Sequence, residues 1–254
     1  MKESYMSSTM GEKMNQESGK KKMPPPATLV QSAICRTNRM HRPYPTLFYF
    51  PGLSSNPLYS PKLFDFSEKL EELYPIILEE YQSFKISAKP FTDITSKEEK
   101  NLQSGDWDWI SYILKGKKQG HFAAHCPRTV EFLESLKSPR LMSQTPFSFA
   151  FFSILKRNSE ISPHYGPCNL RIRCHLPLII PSGDVGMEIA GHKVNWSVGK
   201  PLFFDDCYEH RVWNHSNEDR VVLLFDIWHP ELQNEEIEAI IEMFDGAKSN
   251  GWLK

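Results

Sequence analysis

Between residues 147 and 228 the chain is cut into short runs of strand character. They lie at 147–154, 170–180, 186–190, 193–198, 201–204, 209–214 and 220–228. Pro181-Ser182-Gly183-Asp184, Ala190-Gly191-His192, Gly199-Lys200 and the polar stretch 214–219 divide most of them. Runs this short, at this spacing, predict a β-sandwich or barrel. Helical periodicity is confined to the flanks. Phe66, Leu70, Leu73, Ile77 and Tyr81 share one helix face between residues 64 and 84,. Pro75 is expected to break that helix at Tyr74 and to open the next turn. A shorter helical pattern follows Pro127 at 129–136, and a polar-apolar helix occupies 234–244.

Composition narrows the function classes. A chain of 254 residues with 40% hydrophobic content can bury one large core,. The expected division is an N-terminal tail over 1–40, disordered or weakly ordered, and a single domain over 41–254. The first 27 residues are rich in Lys, Ser, Met and Pro and carry no apolar h-region after their lysines,. Lys20-Lys21-Lys22 reads as a short solvated patch. The formal net charge is -1 with the two signs interspersed, which argues against a nucleic-acid partner,. No apolar run approaches the roughly 18 residues of a membrane span. The five cysteines, Cys35, Cys126, Cys168, Cys174 and Cys207, form no CxxC pair. That pattern fits a reducing compartment, and the expected localisation is cytoplasmic.

Two histidines near strand ends stand out. One lies in Ser162-Pro163-His164-Tyr165-Gly166-Pro167-Cys168-Asn169, the other in Phe204-Asp205-Asp206-Cys207-Tyr208-Glu209-His210. Either alone is more readily a structural histidine, with the neighbouring acids as turn residues. Together, brought close by a β fold, they can hold a redox metal. Arg220 opens an otherwise apolar strand, where a charge is costly unless paired or hydrated. Its planar fork suits a carboxylate, and the competing reading is an ion pair with Glu218, Asp219 or Asp226. In the run 170–178, alternation puts Arg171, Arg173 and His175 on one face and Leu170, Ile172, Cys174 and Leu176 on the other,. Arg173 and His175 point to a ligand carboxylate. For Arg171 a solvent face and a bound anion remain equal alternatives. A facial triad needs a carboxylate as third ligand, and the residue two after His164 is Gly166, which offers none,.

The stretches His164 to Asn169, Arg171-Ile172-Arg173-Cys174-His175-Leu176, Phe204-Asp205-Asp206 with Glu209-His210 and Trp213, and Asp226-Ile227-Trp228-His229-Pro230-Glu231-Leu232 resemble the aspartyl/asparaginyl β-hydroxylase domain. Leu47-Phe48-Tyr49-Phe50-Pro51-Gly52-Leu53 is similar to that family's animal members. The resemblance implies a fold that is mainly β with flanking helices, a double-stranded β-helix (jelly roll, cupin-like). It implies an Fe(II)- and 2-oxoglutarate-dependent dioxygenase that hydroxylates a peptidyl substrate at the β-carbon of Asp or Asn, with O2 as second cosubstrate. By motif position, His164 and His210 would bind the metal. Arg220 with Ser153 would hold the distal carboxylate of 2-oxoglutarate, and Arg173 with His175 the carboxylate beside the keto group. Animal members resemble this chain in lacking the carboxylate ligand. Cys126 matches one cysteine of a pair in the best-known member, and no second cysteine lies near it.

Two other classes compete. A two-histidine site with an open third position is also how an iron halogenase seats chloride, so products formed with and without chloride separate the two. A catalytically silent jelly-roll binding module is the non-enzyme alternative, and the retained set of His164, His210 and Arg220 argues against it. A lipid substrate, as in bacterial relatives, is the further enzyme alternative.

Overall fold

A computed structural model describes residues 41–87, 92–94 and 97–251. The expected tail over 1–40 lies outside them. In chain order the first strands are β1 (Leu58–Tyr59), β2 (Gln103–Ser104), β3 (Trp107–Leu114), β4 (Lys117–Lys118), β5 (Ala150–Leu155) and β6 (Ser159–His164). They are followed by β7 (Arg171–Ile179), β8 (Val185–Ile189), β9 (His192–Val194), β10 (Leu202–Phe204), β11 (His210–Asn214) and β12 (Arg220–Trp228). A seven-stranded sheet has the order β1-β10-β7-β12-β5-β3-β4, and a five-stranded sheet the order β2-β6-β11-β8-β9. All their pairings are antiparallel. From β5 to β12 the chain passes back and forth between the sheets: β5, β7, β10 and β12 in the larger, β6, β8, β9 and β11 in the smaller. This alternation is the double-stranded β-helix expected from the sequence.

The alternation along each strand assigns its two faces. Ile172, Cys174, Leu176 and Leu178 of β7 and Val221, Leu223, Phe225 and Ile227 of β12 join a buried cluster on the outside of the larger sheet. The helix α1 (Ser67–Ser87) covers that cluster with Leu70, Leu73, Ile77, Tyr81 and Phe84. A short helix α2 (Lys97–Leu102) precedes β2; α3 (Gly120–His125) and α4 (Pro127–Ser135) add Phe122, Phe132 and Leu133 to the same layer. Between the sheets a second cluster joins Trp107, Trp109, Phe151, Val222 and Leu224 of the larger sheet to Ile161, Met187, Ile189 and Val212 of the smaller. The last helix, α5 (Asn234–Ser249), buries Ile237, Ile240, Ile241 and Phe244 against Leu170 and Trp228. Among the described residues no helix is long and apolar enough to cross a membrane.

The break expected at Pro75 does not occur, and α1 runs through it. An interior proline costs about 3 kcal/mol through one lost hydrogen bond and a clash with the preceding turn. Burying five large side chains, each worth roughly 1.5–3 kcal/mol, outweighs that. Five strands also fall outside the expected runs: the two-residue β1, β2 and β4, and the longer β3 and β6. The β6 sequence Ser159-Glu160-Ile161-Ser162-Pro163-His164 is too polar to read as a strand alone; pairing with β11 and β2 holds it extended. The β3 run Trp107-Asp108-Trp109-Ile110-Ser111 alternates, and its two tryptophans share the inward face.

Candidate active site

The register of β6 against β11 sets His164 directly opposite His210, with ring centroids 4.0 Å apart. Each ring is fixed by its own strand. His164 Nδ1 is 2.8 Å from the Ser162 carbonyl and His210 Nδ1 is 2.9 Å from the Tyr208 carbonyl. A carbonyl only accepts, so each Nδ1 carries the proton and each Nε2 is left with its lone pair. Burial lowers the His164 pKa. It lowers that of His210 well below the ordinary range, and the neighbouring His164 adds to the effect. Two neutral imidazoles with oriented, proton-free Nε2 atoms are what a borderline metal ion requires.

Opposite them, β7 presents Arg171, Arg173 and His175 to the space between the sheets. Arg171 is 2% exposed, which removes the solvent-face alternative. Its guanidinium bonds Asp206 at 2.5 Å and Asp226 at 3.1 Å, and it donates to the Phe147 carbonyl. Arg173 meets the same two acids, Asp226 at 2.8 Å and Asp206 at 3.1 Å, with its side chain 13% exposed. Burial alone would raise the Asp206 carboxyl, but Arg171 and Arg173 outweigh it and hold that group well below the usual carboxylate range. Asp206 was legible in the sequence only as a turn acid; it is a buried counter-ion beside the histidine pair.

Gly166 is filled from the other side. A Cβ built there would lie 2.5 Å from the Asp206 carboxylate carbon and from one of its oxygens. The Gly166 N–H also donates to the Asp206 carbonyl at 2.5 Å. The two residues are packed as one unit, so no side chain fits at 166 while Asp206 keeps its arginines. Gly166→Asp is therefore expected to weaken the fold, not complete a metal triad. Displacing the Asp206 carboxylate from a buried pair costs roughly 3–5 kcal/mol. Urea unfolding of the metal-free protein measures it, and a variant as stable as wild type would show that the pocket accommodates the side chain.

Asp205, Asp206 and Cys207 form a compact group with ligand-type atoms. All three are otherwise engaged. Asp205 accepts from Ser55 Oγ at 2.6 Å and from the Cys207 N–H at 2.9 Å, and Cys207 Sγ donates to the Cys168 carbonyl at 2.9 Å. This group braces the turn before His210.

At the other end of the cleft lies Arg220, 1% exposed. None of the expected acids reaches it. Asp226 belongs to Arg171 and Arg173, and Asp219 to Lys156 at 3.2 Å. Arg220 Nη1 meets only the Ser153 carbonyl and hydroxyl, both at 3.3 Å, and its Nε has no partner among the described residues. Burial without an anion pulls its pKa below the ordinary arginine range. The Ser153 hydroxyl also accepts from Trp107 Nε1 at 2.9 Å. With two donors pointing at its oxygen, its own proton is free to donate to a ligand.

His175 sits between the two arginines. Its Nδ1 is buried without a partner among the described residues, and Phe204 stands edge-on at 4.9 Å. Burial, then the charges of Arg220 and Arg173, push its pKa well below 6.5. The unfolded chain therefore takes up a proton near pH 6.5 that the folded chain refuses. Stability should be intact above that pH and fall as pH drops below it, by up to roughly 1.4 kcal/mol per pH unit for one such group. Denaturant unfolding of metal-free protein at pH 7.5 and 5.5 tests this. His175→Gln should show a smaller difference between the two pH values; an equal one would assign the loss to other groups.

Known proteins resemble this chain over most of its length. The sequence profile described as aspartyl/asparaginyl beta-hydroxylase matches residues 71–230. The chain is 29% identical over 199 residues to the Homo sapiens aspartyl/asparaginyl beta-hydroxylase, covering 77% of this chain and 26% of that protein. It is 31% identical over 207 residues to the Mus musculus aspartate beta-hydroxylase domain-containing protein 2, covering 79% and 59%. It is 32% identical over 188 residues to the Rhizobium tropici ornithine lipid ester-linked acyl 2-hydroxylase, covering 71% and 63%. The chain thus spans about a quarter of the length of the first relative and about three-fifths of the other two.

Proposed function

Since this chain belongs to the aspartyl/asparaginyl β-hydroxylase family, we propose that it is an Fe(II)- and 2-oxoglutarate-dependent dioxygenase. Its proposed substrate is a protein or peptide, hydroxylated at the β-carbon of an aspartyl or asparaginyl residue. The observation that carries the reading is Arg220: a buried guanidinium with no acid partner among the described residues, in the same β-sandwich as two histidines whose Nε2 atoms keep their lone pairs. A buried cation without a counter-ion is costly in any protein that lacks a ligand to supply one. The donor set also fits the metal. Two neutral imidazoles with proton-free Nε2 atoms would hold a ferrous ion, and the keto acid would add oxygen donors,.

Fe(II) with 2-oxoglutarate and O2 supplies the oxidant for inserting oxygen into an unactivated C–H bond, with succinate and CO2 as coproducts. The chain's own residues bind, orient and exclude water. His164 and His210 would hold the metal through Nε2. Arg220 would take the distal carboxylate as a bidentate pair, and the Ser153 hydroxyl would donate to the same group. Arg173 and His175 would hold the carboxylate beside the keto group. Arg173 already pairs with Asp226 and Asp206, and its 13% exposed side chain would offer its remaining N–H groups,. Phe151, Phe204 and Trp107 belong to the buried cluster between the sheets, whose low dielectric would strengthen each of these contacts,.

The test is anaerobic binding of Fe(II) and 2-oxoglutarate, followed by succinate release on admitting O2. A silent binding module releases none. A halogenase forms a chlorinated product when chloride is present. Peptides carrying Asp or Asn are then assayed for a gain of one oxygen atom. A second substrate reading, an acyl lipid, is supported by the 32% identity to the Rhizobium tropici acyl hydroxylase. Oxygen gain on an acyl lipid with none on peptides would favour it.

A further inference from the structure

We propose that Trp196 is a positioning residue of this same cleft, clamping the end that takes the distal carboxylate of a dicarboxylic 2-oxo acid. The inference rests on the cosubstrate reading of Arg220 and goes beyond it by adding a group that neither sequence motif nor chemistry had marked.

Trp196 lies in the loop between β9 and β10, and that loop is tied to the sheet. The Gly199 N–H donates to the Pro177 carbonyl at 2.9 Å, and the Lys200 N–H to the Ser197 carbonyl at 3.0 Å. Gly199 has φ +74°, a conformation that favours glycine,. So fastened, the loop turns the indole inward, where it is 8% exposed. The ring lies over the Arg220 guanidinium, with Cζ 5.1 Å from the ring centroid. Its other neighbour is the His175 ring, 6.1 Å away and inclined by 33°. Trp196 therefore lies nearer to Arg220, the group assigned to the distal carboxylate, than to His175, assigned to the other end.

Two features say that this is more than packing. The indole offers a π-face, at cation–π distance, to a guanidinium that has no acid partner among the described residues,. The Trp196 Nε1 is also buried without an acceptor among the described residues, as are Arg220 Nε and His175 Nδ1. Native proteins seldom leave buried polar atoms unpaired, and these three belong to side chains grouped around Trp196, which suits a ligand rich in acceptors,. In contrast, the Trp107 indole has its acceptor in Ser153. Trp196 would stack on Arg220 and offer its N–H to the bound acid.

The experiment uses protein loaded anaerobically with Mn(II), so that no turnover occurs. Calorimetry measures the affinity for Mn(II), for 2-oxoglutarate, and for 2-oxobutyrate, which lacks the distal carboxylate. Trp196→Leu should weaken 2-oxoglutarate by about tenfold, the combined effect of a lost stacking face and a lost donor. Trp196→Phe keeps a face and loses the donor, and should weaken it by about threefold. Both variants should bind Mn(II) and 2-oxobutyrate as wild type does. A folded Trp196→Leu with unchanged 2-oxoglutarate affinity overturns the proposal. So does equal weakening of both acids, which marks general damage to the cleft. If Trp196→Leu does not fold, Trp196→Phe decides, and an unchanged affinity for the diacid overturns the proposal. Wild-type protein that binds neither acid sinks the cosubstrate reading itself, an outcome distinct from a Trp196 variant that binds normally.

Discussion

Arg220→Ala is expected to weaken 2-oxoglutarate binding by on the order of 2–5 kcal/mol, the range for removing one partner of a desolvated charged pair. Fe(II) affinity should not change, because Arg220 does not touch the histidine pair; its contacts are Ser153 and Trp196. Arg220→Lys keeps a charge and loses the planar fork, so it should fall between wild type and the alanine variant. Stability should move in the opposite sense to affinity. A guanidinium in an internal ion pair is missed when it is removed, whereas Arg220 has no acid partner among the described residues. Arg220→Met keeps most of the volume and drops the uncompensated charge. The metal-free, cosubstrate-free variant should be at least as stable as wild type. Calorimetric titration with 2-oxoglutarate and the melting temperature of the apo protein are read together. A lower melting temperature with unchanged cosubstrate affinity would make Arg220 a structural cation and remove the central support for the proposed function.

His164→Ala and His210→Ala should each abolish measurable Fe(II) binding at neutral pH. With two protein ligands, losing one leaves a lone imidazole. Loss of an outer-shell partner alone commonly costs 10–100-fold in metal affinity, and loss of a ligand should cost on the order of 100-fold or more. The two variants differ in what they do to the fold. His164 is half-buried at the end of β6 and His210 is 4% exposed inside β11. His210→Ala should therefore lower the melting temperature of the apo protein more than His164→Ala. Anaerobic calorimetry with Mn(II) or Fe(II) measures the first effect and a thermal scan the second. Unchanged metal affinity in both variants would move the metal elsewhere, and the Asp205-Asp206-Cys207 group would have to be reconsidered.

Much of the architecture was legible because β-strands write a period of two into the chain. The run Arg220–Trp228 was read with the bounds it has in the structure, and the alternation in 170–178 separated Arg171, Arg173 and His175 from Ile172, Cys174 and Leu176 as the sheet does,. The strand β6 was not legible, since Ile161 is its one buried aliphatic position and a single such residue marks no period. It is extended because β11 lies beside it. Pro75 misled for the converse reason. Its local effect is real, but it is smaller than the burial of the helix face around it.

The sequence by itself determined the residue types and their order: two histidines, an arginine at a strand mouth, alternating basic residues, and a glycine where a carboxylate ligand would stand. Each of these follows from local periodicity or from a motif contained in a few consecutive positions. Only the tertiary structure decided which charge answers which. Asp226 lies six residues from Arg220 in the same strand, yet it serves Arg171 and Arg173, because β12 and β7 pair in a register that sets Asp226 opposite Arg173. That choice leaves Arg220 without an acid among the described residues. The packing of Asp206 against Gly166 and of Trp196 over Arg220 was equally out of reach, since both contacts join segments separated by at least 24 residues. Electrostatic pairing in a buried cleft depends on distances of a few ångströms. Those distances exist only once the two sheets have closed on each other.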